Sequence, residues 1–372
     1  MSFAPAGYRP HQGMPPFDGD GPPLSFFEFW PMWLFYAPFI PLLLWLFCRY
    51  RSITLPTLAN PTFPAGGLVG ESKSIILNQI SENCPGLVPP FIAWRKSQNA
   101  ALEGLCANID DELAAANLAF PLVAKPDIGC RGAGVRLLRS QEDMRAYVDA
   151  YPCDETIIFQ QLVDVEGEAG IFYYRFPNQS KGKIFSITLK YFPYVYGDGK
   201  STLEELIAAD PRAGRLQHIY RERHRERLET IPAAGQPVRL AFAGSHSRGA
   251  IFRDGTQYAT AKMIQSFDAI ADAVPGFHFG RFDIRFDSLD AVQNGGSFKI
   301  IELNGAGAET TNIWDRRTSL LSAWTQLARQ YRLLFALGDQ NRKAGNRPTP
   351  LGILYRMYKN EKRLVALYPS SN

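Results

Sequence analysis

The chain has 372 residues, 46% of them hydrophobic and 20% charged, with a formal net charge of +4. That is enough apolar material for a sizeable core, and 40 Lys and Arg against 36 Asp and Glu ask for no polyanionic partner such as nucleic acid. Five cysteines, odd in number and without paired spacing, argue against a disulfide framework or a zinc pattern and suit a reducing compartment.

Residues 1–23 are rich in Pro and Gly with almost no aliphatic pattern, which predicts a disordered tail. Residues 24–51 hold an uncharged run from Phe29 to Cys48, with Glu28 before it and Arg49 and Arg51 after. Its length suffices to cross a hydrocarbon core, so a single membrane anchor is expected, and the downstream arginines place the rest of the chain in the cytoplasm. Pro31, Pro38 and Pro41 interrupt helical hydrogen bonding, which leaves a buried or peripheral, interfacial segment as the alternative. Residues 52–117 read as a linker and a small region in which Gly66 to Ser74 opens a helix, as an anion-binding start or as a plain capped helix.

Phe120 to Pro126 is a short apolar strand carrying Lys125, followed directly by a loop with Gly129, Gly132 and Gly134. Glycines so spaced let backbone amides approach an anion, and Lys125 adds a compact charge beside them, although a hairpin loop explains the glycines equally well. Thr156 to Val163, with Gln160 and Gln161, is a second strand-like run that leads to Glu166 and Glu168. Lys183 to Phe192 mixes faces but allows a strand, and Lys190 within it reads by itself as a solvated lysine. Beyond it, Ser201 and Glu204 have capping-box spacing that turns the chain into a helix. Arg212 to Arg227 is the densest charge run. Glu222, Glu226 and Glu229 interleave with its arginines and no aromatic series accompanies them, so a solvated helix is expected, with Arg215 or Arg221 on an acidic substrate as the second reading.

Gly280 to Phe286 alternates strictly: Phe282, Ile284 and Phe286 on one face, Arg281, Asp283 and Arg285 on the other. Phe298 to Gly305 reads as its antiparallel partner across the turn-rich residues 288–297. Glu302 and Asn304, two apart, share a face, so a hairpin can bring Asp283, Glu302 and Asn304 together as hard oxygen ligands, in outline a magnesium site, with ordinary strand-end carboxylates pairing with Arg281 or Arg285 as the alternative. Residues 339–372 are a polar linker and a basic, apolar tail that suits either an anionic leaflet or the enzyme's own surface.

The order of these pieces resembles the ATP-grasp superfamily over about residues 118–338. Within it, carboxylate–amine ligases such as D-alanine–D-alanine ligase are the most similar, and Lys190 to Arg212 adds features of cyanophycin synthetase and the glutathione-synthesising enzymes. The resemblance implies an α/β (α+β) fold of two lobes clasping ATP, preceded here by a reduced N-terminal region and the hydrophobic segment. It implies Lys125 and Lys190 on the phosphates, the loop Gly129 to Gly134 over them as a lid, and Gln160, Gln161 and Val163 at the adenine. Glu168, or Glu166 as runner-up, would bind the ribose. Arg281 would steady the oxyanion, and Asp283, Glu302 and Asn304 would hold magnesium or manganese. His246 and Arg248 become substrate-site candidates, and Gly305 to Asn312 the place of the acceptor carboxylate. The implied activity joins a small-molecule carboxylate to an amine through an acyl phosphate, which requires no nucleophilic side chain. A kinase and a membrane-attached nucleotide-binding scaffold without turnover are the alternatives.

Overall fold

The computed structural model describes residues 8–17, 24–98, 101–246 and 249–371. The first helices, α1 (Met32–Tyr36) and α2 (Ile40–Tyr50), are joined by a 3-10 turn at Ala37–Phe39, where Pro38 and Pro41 remove amide donors. Among the described residues, Met32–Tyr50 is the one stretch long and apolar enough to cross a membrane, by length and composition alone. A buried turn at Leu55–Leu58 follows, and α3 (Lys73–Asn83) begins at Ser72, whose hydroxyl accepts from the Ile75 amide at 3.4 Å.

The first lobe is a four-stranded antiparallel sheet of β1 (Phe91–Arg95), β2 (Leu122–Pro126), β3 (Arg136–Leu138) and β4 (Thr156–Gln161), in the order β1-β4-β2-β3. Two helices, α4 (Leu102–Ala115) and α5 (Gln141–Ala150), set Leu105, Ile109 and Leu113, four residues apart, and Met144, Tyr147 and Val148 against Leu122, Ala124, Ile157 and Phe159. Because β1 pairs with β4 from Phe91↔Gln160 to Arg95↔Thr156, the lobe begins near residue 91 and not at 118.

The second lobe is a five-stranded antiparallel sheet. It contains β5 (Gly167–Tyr174) and β6 (Lys183–Tyr191), and then the chain leaves it for a small unit of β7 (Tyr194–Tyr196), α6 (Leu203–Ala209), α7 (Gln217–Arg223) and β8 (Pro237–Arg239) with its own apolar cluster. The sheet resumes with β9 (Ile251–Asp254), and α8 (Ala261–Ala273), β10 (Phe279–Phe286), α9 (Leu289–Gln293) and β11 (Phe298–Asn304) complete the order β11-β10-β5-β6-β9. One face of it buries Ile171, Ile187, Leu189, Phe282, Ile284 and Phe286 with residues of α3 and α8. The other carries Glu168, Lys190, Arg281, Asp283 and Arg285, as period-two alternation requires. The capping box of α6 is Thr202 with Glu205, one residue beyond the expected pair. The charge run is a broken helix, with 3-10 turns at Ala213–Leu216 and Arg225–Arg227 on either side of the seven residues of α7, which ends at the buried His224, whose ring nitrogen lies 3.1 Å from the Leu240 carbonyl.

Two further helices, α10 (Leu320–Lys343) and α11 (Leu351–Leu367), close the chain. The N-terminal helices lie along α10: Phe27, Phe35 and Phe39 bury with Ala323 and Leu327, and Leu46 with Leu55, Leu58 and Phe335. Residues 29–48 are therefore not a detached tether, and the stretch after them is not a free linker. Asn60, fully buried there, accepts from the His278 and Phe279 amides at 2.8 and 3.0 Å and donates to the Phe279 and Gly66 carbonyls at 2.8 and 3.0 Å. The expected disordered tail is also corrected for residues 8–17: the His11 amide donates to Glu166 at 3.0 Å. Residues 1–7 and 18–23 lie outside the described residues.

Burial of one large apolar side chain contributes roughly 1.5–3 kcal/mol. A chain starting at Ser52 loses Phe27, Phe35, Phe39 and Leu46 from two clusters, so it should melt at least several degrees below the full chain in a thermal scan. Equal melting temperatures would show that the segment is not part of the fold.

Candidate active site

The two sheets face each other across a cleft of about 650 Å³ that reaches from Val123, Gln160 and Val163 to Glu309 and Thr311. Lys125, near the end of β2, is buried there and donates to Gln160 Oε1 at 2.8 Å and to the Ile301 carbonyl at 2.7 Å. A bulge makes the second bond possible. Asp283 pairs with Glu302 and Ile284 with Ile300, so Ile301 has no partner and its carbonyl is free of the ladder. Burial lowers the Lys125 ammonium to about 8 even though Glu302 pulls the other way.

The cleft face of the second sheet carries a chain of alternating charges. Arg281 grips Asp283 with two bonds, of 2.8 and 3.1 Å, and Lys190 lies 3.1 Å from Asp283 and 3.2 Å from Glu168. Arg285 reaches Glu168 at 2.8 Å. All five are placed by strand alternation on β5, β6 and β10. Room for them comes from Gly170, where a Cβ would stand 2.9 Å from Arg281 Cδ and 3.1 Å from Asp283 Oδ1. Burial alone would raise the Asp283 carboxyl, but Arg281 and Lys190 outweigh it and hold it below the usual range.

The far end of the cleft is walled by Trp30, Met32 and Tyr36 from the N-terminal segment and by Trp314 and Tyr331. The Tyr36 hydroxyl donates to Glu309 Oε1, and Arg281 donates to the Glu309 carbonyl at 3.0 Å. Burial raises the Glu309 carboxyl, with Tyr36 and Arg281 opposing. Glu28 binds Arg212 at 2.6 Å and His246 at 2.8 Å, and the His246 ring stacks on Trp314 with centroids 5.4 Å apart. Burial acts to raise Glu28, yet these two partners bring it down to about 2.

The glycine loop borders the same cleft through Gly132 and is held from outside. Tyr368 donates to the Ile128 carbonyl at 2.6 Å and Ser371 to the Gly132 carbonyl at 2.7 Å, and Tyr368 packs beside Gly129 and Gly134. The start of α3 is spoken for as well: the Ser74 amide donates to Asp127 Oδ1 at 2.7 Å and the Lys73 amide to the Asp127 carbonyl at 3.1 Å, so a protein carboxylate takes the place of an external anion.

The structure thus brings Lys125, Gln160, Gln161, Val163, Gly132, Glu168, Lys190, Arg281, Asp283, Glu302 and Asn304 to one cleft, with His246 at its rim. Gly129 and Gly134 pack away from it, and Arg248 lies outside the described residues. Both Glu168 oxygens lie within ion-pair distance of Lys190 and Arg285, and a Cβ at Gly244 would stand 1.8 Å from Oε1; Oε2 makes no hydrogen bond, and Glu168 lines the cleft. Glu166 faces elsewhere, bound to Arg239 at 3.1 Å and to Tyr194 at 3.0 Å. Arg221 pairs with Glu204 on the surface, and Arg215 is exposed; neither lines the cleft. Sequence reasoning missed Tyr36, Trp30 and Met32, hidden in what read as an anchor; Lys73, within the segment read as a possible anion-binding start, lies 3.8 Å from Glu302 and donates to the Gly129 carbonyl at 2.5 Å.

Glu302 and Asn304 fit a hard cation in donor chemistry, whereas both Asp283 oxygens are held by Arg281 and Lys190, so Asp283 would join the ligand set only by giving up part of that pairing. Asp283 and Glu302 are cross-strand partners, and the Glu302 side chain is 30% exposed toward the cleft. Magnesium or manganese takes such a site through one or two carboxylates and fills its shell with phosphate oxygens and water. Among the described residues no group of three His, Cys, Asp or Glu gathers for a metal, so the amide of Asn304 and the nucleotide would supply the remaining ligands.

No model of a known protein family matches the chain, and no curated protein matches it. Similar solved structures include a bifunctional glutathione synthetase from Pasteurella multocida, 18% identical, which covers 73% of this chain and 38% of its own with a TM-score of 0.36. A D-alanine–D-alanine ligase from Bacillus anthracis is 13% identical, covers 74% of this chain and 68% of its own, and has a TM-score of 0.39. A RimK-domain ATP-grasp protein from Sphaerobacter thermophilus is 10% identical, with coverages of 74% and 68% and a TM-score of 0.36. The chain spans 38% of the glutathione synthetase's length. Likenesses this loose decide nothing about chemistry, which the side chains of the cleft must carry.

Breaking a buried ion pair costs roughly 3–5 kcal/mol. Asp283→Asn should therefore lower the melting temperature, while Glu302→Gln, at a partly exposed carboxylate, should leave it unchanged; equal effects would contradict the buried charge chain. Because a lysine that titrates at about 8 loses its charge as pH rises, ATP affinity measured calorimetrically should fall between pH 7 and 9, and Lys125→Arg should flatten the fall.

Proposed function

We propose that the chain is an ATP-grasp ligase that joins a carboxylate to an amine at the expense of ATP. The observation that carries this reading is the convergence of Lys125 and Gln160 from one lobe with Arg281, Asp283, Lys190, Glu302 and Asn304 from the other on a single cleft. Its positive side chains suit the phosphates of a nucleotide, and the apolar Val123, Leu162 and Val163 beside Gln160 suit the base. Gln160 has its carbonyl oxygen on Lys125, so it orients that lysine, and the base meets the backbone and side chains that follow it.

In the proposed reaction a carboxylate oxygen of the acid attacks the γ-phosphorus of ATP, and ADP leaves. The amine then attacks the acyl carbon of the acyl phosphate, inorganic phosphate leaves, and the amine's proton passes to solvent. Lys125 and Lys190, both buried at the cleft floor, hold the transferring phosphoryl group. Arg281 faces the oxygen that gains charge on the acyl carbon; its Asp283 and Glu309 contacts fix the guanidinium there before substrate arrives. A divalent cation bound by Asp283, Glu302 and Asn304 would neutralise phosphate charge. The aromatic wall of Trp30, Tyr36, Trp314 and Tyr331 at the Glu309 end favours an acid with an apolar side chain, such as an amino acid or short peptide. The proposal includes attachment to a membrane through residues 29–48, with the lobes on the cytoplasmic side where ATP is supplied.

ADP release by the full chain with ATP and magnesium should require both an acid and an amine from pools of amino acids and short peptides. Release with acid alone would make it a kinase; ATP binding without release would leave a scaffold. Arg281→Ala should lower turnover by about 10²–10³ with ATP affinity nearly kept. Weakened ATP binding at a normal maximal rate would place that arginine elsewhere.

A further inference from the structure

The N-terminal segment has two faces of different fate. Its inner face buries Phe35, Phe39 and Leu46 against α10. Its outer face leaves Trp33 73% exposed, Ile40 56%, Leu44 57% and Trp45 54%, and Phe26, just upstream, 79%. No charged residue interrupts the run from Phe29 to Cys48, and Arg49 and Arg51 stand exposed at its end. Contiguous exposed apolar surface of this kind on a folded chain marks an interaction site.

We infer that this outer face docks in the plane of an anionic phospholipid bilayer and does not cross it. The inference rests on the membrane attachment proposed above, not on the ligation chemistry. Crossing is opposed by the packing. Helix α10 runs beside the segment and carries Arg329, Arg332 and Asp339, and the Tyr36–Glu309 contact ties α1 to the cleft, so a span would draw charged groups into hydrocarbon. Pro38 and Pro41 tighten the segment into a 3-10 turn at Ala37–Phe39 without ending the helical course, and its inner face stays packed on the protein along its length. Trp33 and Trp45 are the side-chain type that settles at the headgroup boundary, and the arginines at the end of the stripe complement anionic headgroups. Docking in this way sets the Trp30, Met32 and Tyr36 wall of the cleft beside the bilayer.

The test uses the full chain without nucleotide, so it is independent of whether the chain ligates anything. Flotation with vesicles of equal phosphatidylglycerol and phosphatidylcholine should carry the protein up, with at least tenfold less bound to phosphatidylcholine alone and to the Trp33→Glu, Trp45→Glu double variant. ATP binding by that variant should match wild type and so report that it folds. Brominated lipids then read depth through the quenching lost in Trp33→Phe and in Trp45→Phe. The two tryptophans should lie at one shallow depth, whereas a crossing helix would separate them by about 18 Å. Unequal depths would overturn the in-plane inference and keep the attachment. No flotation, with a dimer in solution that the double variant dissociates, would assign the face to a second copy of the chain and overturn both.

Discussion

Interleaved charge on the cleft face of the five-stranded sheet is the constraint the rest answers to. Arg281, Asp283, Lys190, Glu168 and Arg285 form a line across β10, β6 and β5 in which each carboxylate lies between two cations. Groups of this kind are costly to take out of water unless each is paired and bonded, so their neighbours must hold them closely. Gly170 makes room for Arg281 and Asp283, and the backbone at Gly244 closes over Glu168. The apolar underside, with Phe282, Ile284 and Phe286, keeps the strands from shifting register, since a slip of one residue would turn the charges into the core. With three cations against two carboxylates, the line retains one positive charge in excess for an anionic guest.

The first lobe contributes one cation, Lys125, and its link to the second runs through a backbone irregularity. The bulge at Ile301 costs the ladder a partner and gives Lys125 an acceptor, so the lobes are joined at the point where phosphate would lie. Both chain ends reinforce this closure. Tyr368 and Ser371 hold the glycine loop from one side, and Tyr36 holds the loop of Glu309 from the other. The loop that reads as a free lid is therefore strapped, and its freedom depends on the C-terminal residues letting go.

What was legible in the sequence follows from period and spacing. The alternation of Arg281 to Phe286 separated core from cleft residue by residue, and the two-residue spacing of Glu302 and Asn304 put both on the cleft side. Lys125 was legible as a lysine ending an apolar strand, whereas Lys190, in a run that mixes faces, gained its role only from the family resemblance. Roles that depend on distant partners were not legible. Nothing local in Glu168 indicates that Lys190 and Arg285 would take its oxygens, nor in Ser74 that Asp127 would meet its amide. The N-terminal segment misleads for the same reason: its composition records how apolar it is, while its partner α10 lies some three hundred residues away. Leu55 to Leu58 looks like a linker until Phe335 is set against it.

The proposed ligation requires that this cleft activate a carboxylate by phosphorylation. Hydroxylamine intercepts acyl phosphates, so the most direct measurement is hydroxamate formed by the full chain with ATP, magnesium and pooled carboxylic acids. The account predicts hydroxamate in proportion to ADP, lost in Glu302→Gln. ADP released in an acid-dependent manner without hydroxamate, or hydroxamate undiminished by that substitution, would contradict it.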